Sequence, residues 1–168
     1  MRLGTSFFEQ DVLVVAPLLI GKQLVRLYDD GHLEKYIISE TEAYDGENDL
    51  ACHACRGRTE RNKVMYGQGG LIYVYLVYGM YWMINFVTGQ KDQPQAVLLR
   101  GVEGINGPGK LTRQLQIDKS FYAEDLATSK RIWVEDDGTT SKFRTDKRVG
   151  IDYAGDYWKN VPWRFIKI

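Results

Sequence analysis

The sequence predicts an α+β fold: one domain over residues 1–168, with a mixed, largely antiparallel, curved β-sheet of open-barrel character, peripheral helices and a protruding aromatic hairpin. Three observations lead there. A chain of 168 residues can bury one sizeable core and lies in the usual single-domain range of about 100 to 200 residues. Short runs of β-branched and aromatic residues, punctuated by Asp-Gly and Tyr-Gly turn signals, outnumber the stretches with helical character. The third is the stretch from Gly70 to Asn85, GLIYVYLVYGMYWMIN, which carries four tyrosines, a tryptophan and two methionines and breaks at Tyr78-Gly79. A membrane span needs about 20 apolar residues, so two short strands joined by a tight turn fit better.

In chain order, Ser6-Phe7-Phe8-Glu9 has capping-box spacing, and Val12 to Leu19 continues as a short helix that Gly21 ends. Gln23 to Tyr28, the turn Asp29-Asp30-Gly31 and Leu33 to Thr41 form a strand, turn and strand that deliver Glu40-Thr41-Glu42-Ala43-Tyr44. Asp45 to Gly70 is polar and glycine-bearing, a long loop with one short helix near Arg58 to Met65. In the aromatic hairpin, period-two alternation puts Tyr73 and Tyr75 on one face and Ile72, Val74 and Leu76 on the other. Tyr78 stands at the apex, where a positive φ at Gly79 turns its ring outward. Gln95 to Val102 is a strand, Gly104 to Gly109 a loop, and Lys110 to Gln116 a helix. Ala127 to Asp136, Arg148 to Tyr153 and Pro162 to Ile168 are further strands.

Charge and cysteine content exclude several classes. Lys and Arg balance Asp and Glu at 22 each, so the totals announce no general electrostatic grip on nucleic acid. The distribution is uneven. Acids dominate from Tyr28 to Leu50 and bases from His53 to Lys63, leaving a basic loop beside the aromatic hairpin. No basic and apolar leader opens the chain and nothing is long enough to cross a bilayer, so a cytoplasmic protein without membrane contact is expected. Cys52 and Cys55 form a lone C-x-x-C around His53, and with His32 the only other histidine the pair is expected to pack rather than to bind metal or act in redox chemistry.

Several residues carry possible chemistry. Glu40 and Glu42, two apart on a strand, share a face and would repel if both were buried, so one is expected to meet water or a cation. A desolvated carboxylate beside an aromatic wall is suited to deprotonating a water, whereas an edge-strand glutamate is ordinarily just solvated. Arg100 closes the apolar run Ala96-Val97-Leu98-Leu99, and if buried it needs an anion, either Glu42 or a bound substrate. Asn85 interrupts an apolar strand in the same way. Gly104 to Lys110 has the G-x-x-x-x-G-K spacing of phosphate loops, but Leu111 stands where Ser or Thr would hold magnesium. A looser contact of Lys110 with a phosphate, or a plain glycine turn into a helix, stays open.

Together IISETEAYDGENDLACHA, GGLIYVYLVYGMYWMIN, QAVLLRGVEG, NGPGKLTRQLQIDKS, RVGIDYAG and PWRF occur in an order that resembles the alkyladenine (3-methyladenine) DNA glycosylases of the non-helix-hairpin-helix type, from about Leu3 to Phe165. The resemblance implies a monofunctional enzyme that needs no cofactor, acts as a monomer, approaches double-stranded DNA from the minor groove, flips a damaged purine into a pocket and hydrolyses its N-glycosidic bond. By matched positions Glu42 is similar to the general base, with Arg100 and the Val149 carbonyl holding the water. Tyr44, His53 and Tyr75 match the walls of the base pocket and Asn85 its edge. Tyr78, with Met80 and Tyr81 beside it, matches the intercalating wedge, and Lys110 a phosphate contact. The family usually carries a longer insertion between Val102-Glu103-Gly104 and Asn106-Gly107-Pro108, where the two halves here nearly abut. A non-catalytic module for damaged or single-stranded bases and a small-ligand β-protein with a tyrosine-lined cavity are the competing readings.

Overall fold

The computed structural model describes all residues 1–168. Its organising strand is β2 (Leu33–Asp45), 13 residues long and shared between two groups of partners. The first half pairs with β1 (Gln23–Leu27), running from Gln23 opposite Ile37 to Leu27 opposite Leu33. The second half pairs with β5 (Gln95–Val102) and, through Glu40 to Glu42, with β9 (Arg164–Lys167). Between them the register shifts at Ile38 to Thr41, an irregularity that bends and twists a strand and lets β2 pass from one set of neighbours to the other. The remaining strands are β3 (Ile72–Val77), β4 (Tyr81–Thr88), β6 (Ile105–Asn106), β7 (Ile132–Glu135) and β8 (Phe143–Asp146). The main path runs β3-β4-β5-β2-β1-β7, with β6, β8 and β9 branching from it. Every pairing is antiparallel, so the α+β architecture is as expected and its sheet is wholly antiparallel.

One face of the sheet meets the helices α1 (Thr5–Phe8), α2 (Val12–Leu18) and α3 (Pro108–Gln114) over the main core, which includes Phe8, Leu19, Ile72, Val74, Ile84, Phe86, Leu99 and Leu111. The other face carries a smaller cluster built on Cys52, Ala54, Val64, Met65, Tyr66, Tyr73, Val87 and Ala96. The β3–β4 hairpin divides the two as its alternation requires: Ile72 and Val74 enter the core while Tyr73 joins the opposite cluster and Tyr75 packs against it. No helix is long and apolar enough to cross a membrane.

Several local expectations fail for identifiable reasons. Ser6 lies inside a single-turn helix that Gly4 precedes without a side-chain cap, and the cap of α2 is Asp11, whose Oδ1 accepts from the Leu13 amide at 2.8 Å. The β-prone residues of Arg148 to Tyr153 form no strand. Their backbone turns into a 3₁₀ turn at Asp152–Ala154, because Arg148 and the Val149 amide make contacts across the site. Of Ala127 to Asp136 only Ile132–Glu135 is extended, since Asp125 holds the preceding turn through the Ala127 and Ser129 amides. In the long loop the helix is a 3₁₀ turn at Lys63–Tyr66, with another at His53–Arg56. Strand β8 and helix α4 (Gly155–Asn160) were not expected. Between β5 and β6 the chain closes as a tight hairpin, with Val102 opposite Ile105 and Gly104 at φ 86°.

Candidate active site

Antiparallel register draws the site together. Glu42 on β2 lies opposite Leu98 on β5, Leu98 opposite Asn85 on β4, and Asn85 opposite Tyr73 on β3. Directly opposed residues point to the same face, so these four form one row across the sheet. Above the row opens a cavity of about 350 Å³, walled mainly by Tyr44, His53, Tyr73, Tyr75, Met83 and Arg100, with Tyr78 at its rim and Val149 to Ile151 and Tyr153 opposite.

Glu42 lies beneath the lining, behind Tyr44, Arg100 and Val149, and has no solvent-exposed surface. Its Oε1 accepts from the Tyr44 hydroxyl at 2.8 Å, and its Oε2 accepts from the Val149 amide at 2.7 Å. Arg100 Nε is 3.7 Å from the same Oε2 and donates to Glu40 Oε1 at 3.3 Å. Glu40 in turn accepts from Arg164 at 3.0 Å. Two neighbouring glutamates are thus tolerated because two guanidiniums are interleaved with them, and the outer one, Glu40, keeps access to water. Burial raises the Glu42 pKa above the ordinary carboxylate range, against the opposing pull of Arg100, the Val149 amide, the Tyr44 hydroxyl and Arg148.

The rings in the walls are neutral. His53 packs tilted against Tyr75, with ring centroids 4.4 Å apart and the planes at 55°, and its Nδ1 is 2.8 Å from the Tyr73 hydroxyl. Desolvation, with Arg61 nearby, pushes the imidazole pKa down to about 4, so it is uncharged at neutral pH. Desolvation also raises the Tyr44, Tyr73 and Tyr75 hydroxyls well above 10, which leaves them as donors. Asn85 donates to the Tyr73 carbonyl at 3.2 Å while lining the cleft.

At the hairpin tip Val77 accepts from the Met80 amide at 3.1 Å, with Tyr78 at φ 53° and Gly79 at φ 65°. Two positive φ values make a primed turn that matches the strand twist, but a tyrosine in the left-handed region is strained. Its side chain is 88 % exposed, with Met80 exposed beside it. Tyr81 is turned away from the tip and onto α3, where Gly109 lies so close that a Cβ would meet the ring at 2.9 Å. That approach explains the glycine in Gly-Pro-Gly-Lys. Lys110 is exposed on α3, outside the cavity lining.

Three residues that support the site escaped sequence reasoning. Asp49 and Arg148 form a buried ion pair at 2.6 Å, and Asn62 ties the loop by donating to the His53 and Gly57 carbonyls at 3.0 Å each. A buried asparagine spanning a glycine-bearing loop was a usable signal; the ion pair, 99 residues apart in sequence, had none. No group of three or more His, Cys, Asp or Glu side chains is placed to hold a metal ion, and both cysteines are free.

Comparisons with known proteins give the family. The family model for methylpurine-DNA glycosylase matches in two segments, residues 6–106 and 102–167, which meet at the tight β5–β6 hairpin. A protein of Psychrobacter cryohalolentis is 43 % identical over 180 residues, covering 90 % of this chain and 85 % of its own. One from Methanocella arvoryzae is 41 % identical, covering 97 % and 90 %, and one from Rickettsia rickettsii is 44 % identical, covering 98 % and 88 %. All three carry the provisional name 3-methyladenine DNA glycosylase. The chain belongs to the methylpurine-DNA glycosylase family.

Proposed function

We propose that this protein is a DNA repair glycosylase that flips alkylated or deaminated purines out of duplex DNA and hydrolyses the N-glycosidic bond with a water activated by Glu42. The observation that carries the reading is a buried carboxylate, held by two hydrogen-bond donors with the Arg100 guanidinium 3.7 Å away, beneath a cleft of neutral aromatic rings. Tyr78 enters the duplex from the minor groove and fills the gap left by the flipped nucleotide, a task for which an exposed aromatic on a strained turn is suited. The base enters between Tyr44, His53 and Tyr75, and Asn85 borders it. An alkylated purine bearing positive charge gains about 0.5–2 kcal/mol from stacking on such rings, and the same charge makes it a better leaving group.

As the bond from C1′ to the purine nitrogen breaks, its electron pair leaves with the base and the sugar becomes oxocarbenium-like. The Glu42 carboxylate stabilises that charge and takes a proton from the water whose oxygen bonds to C1′, as in inverting glycoside hydrolysis. A carboxylate with a raised pKa is a stronger base, which suits this task near neutral pH. Glu42 lies beneath Tyr44, Arg100 and Val149, and the water reaches it past the Tyr44 ring while the Val149 amide keeps its bond to Oε2. The Val149 carbonyl, with Arg100, then holds it. Phosphate contacts come from Arg56 and Arg61, which line a groove sharing His53, Tyr73 and Tyr153 with the cleft, and from Lys110.

A binding module without catalysis needs neither Glu42 nor Arg100, and one assay separates the two readings. Duplexes carrying 3-methyladenine, 7-methylguanine, hypoxanthine or ethenoadenine are incubated with excess protein and free base is measured. Release from at least one of them, and none from undamaged DNA, supports the glycosylase; tight lesion binding with no release leaves the binding module.

A further inference from the structure

We infer that the buried Asp49–Arg148 ion pair is a positioning device for Glu42, fixing the Val149 amide against the carboxylate and so holding its oxygens in line for reaction. The inference rests on the glycosidic-hydrolysis reading above. Asp49 and Arg148 have fully buried side chains and meet in a two-pronged contact, Nη1 to Oδ2 at 2.6 Å and Nη2 to Oδ1 at 2.9 Å. Arg148 immediately precedes Val149, the donor to Glu42, and its Nη1 also donates at 2.9 Å to the carbonyl of Ala43, which immediately follows Glu42. The guanidinium therefore grips the chain beside both members of the Glu42–Val149 hydrogen bond. It further lies 4.8 Å over the Tyr44 ring, whose hydroxyl is the other donor to Glu42. Asp49 completes the frame by accepting from the Asp45 amide at the end of β2 and from the Ala51 amide, each at 3.0 Å.

Packing alone gives little reason for this arrangement. Desolvating two charges is rarely repaid in stability relative to apolar side chains of the same volume, and here Arg148 Nε is buried without a partner. What the pair supplies that apolar residues would not is a fixed direction for one backbone N–H. The groups facing Glu42 are Tyr44 and Glu40 on its own strand, Arg100 on β5, Tyr75 on β3 and Arg148 on the 147–151 segment, with Arg164 on β9 reaching it only through Glu40. Arg100 is shared with Glu40, so the Val149 amide is the short contact on Oε2.

The test is a double variant, Asp49→Leu with Arg148→Met, which leaves no unpaired buried charge. Single-turnover base release is followed against pH on a duplex lesion that the wild type processes, together with lesion binding and thermal melting. The proposal expects a folded protein with lesion affinity within about threefold of wild type, release slowed about tenfold or more, and an acidic limb moved to higher pH, since loss of the amide donor and of the Arg148 charge both raise the Glu42 pKa. A folded double variant with the wild-type rate and the wild-type limb overturns it. If the double variant does not fold, Arg148→Lys decides: a folded Arg148→Lys protein at the wild-type rate overturns the proposal, and one slowed about tenfold at unchanged affinity supports it. Failure of the wild type to release any base is a separate result and sinks the glycosylase reading itself.

Discussion

The tip of the β3–β4 hairpin and the floor of the cleft are held by opposite means. Tyr78 is exposed, strained in φ and held by its turn alone. Glu42, a few side chains away, is fully buried and has a donor on each carboxylate oxygen, and those donors are themselves anchored by Arg148 and Asp49. The difference teaches a division of labour. A part that enters another molecule finds its partners there and needs few of its own, whereas a carboxylate that reacts must be aimed before the substrate arrives.

The contrast is broken most severely at the floor. Asp49→Ala leaves the Arg148 guanidinium buried and uncompensated, and urea denaturation at pH 7 is expected to show a loss of about 3–5 kcal/mol. At the tip the same experiment has the opposite sign. Tyr78→Asn places a residue that tolerates positive φ at the turn, and stability rises by up to about 1 kcal/mol. Losing an aromatic stack worth about 1–3 kcal/mol meanwhile weakens binding to a lesion-bearing duplex about 5- to 150-fold, measured by fluorescence anisotropy. Smaller still is Gly109→Ala: the added methyl presses on the Tyr81 ring at 2.9 Å, tilts the hairpin base and costs about 1 kcal/mol in the same denaturation assay.

The smallest effect is electrostatic. His53 titrates near 6.5 when unfolded and at about 4 when folded, so the stability of its neutral form is complete above about 6.5 and is lost as pH falls towards 4. His53 is exposed as a residue, and solvent screening limits the loss to about 1 kcal/mol or less. Denaturation at pH 7 and pH 5 is expected to show a smaller pH dependence for His53→Gln than for the wild type.

Legibility in the sequence follows the same contrast. Tyr78 was readable because turn chemistry is local: a bulky aromatic before a glycine between two strands has one place to go. Arg100 and Asn85 were visible as polar residues inside apolar strands, and Glu42 as a carboxylate delivered by a strand. Spacing alone does not show their convergence, which depends on the register Glu42–Leu98–Asn85–Tyr73 across four strands; only the family resemblance gathers them into one pocket. The Asp49–Arg148 pair was hidden altogether, Asp49 among acids that look solvated and Arg148 at the head of an apparent strand. Arg148 to Tyr153 has the residues of a strand, but side-chain and amide contacts with Asp49 and Glu42 override that propensity. Similarly Ser6 offers a capping pattern, yet Asp11 caps the longer helix, so local spacing lost to the chain's path around Phe8 and Val12, both fully buried.

The most direct test is single-turnover release of free base by wild type and Glu42→Gln on one lesion-bearing duplex, with binding to the same duplex measured alongside. Loss of a general base costs about 10²- to 10⁴-fold, and the amide keeps the shape of the floor, so the account predicts release slowed by that factor at nearly unchanged affinity. Release by Glu42→Gln at the wild-type rate would contradict it and move the chemistry to another group in the cleft.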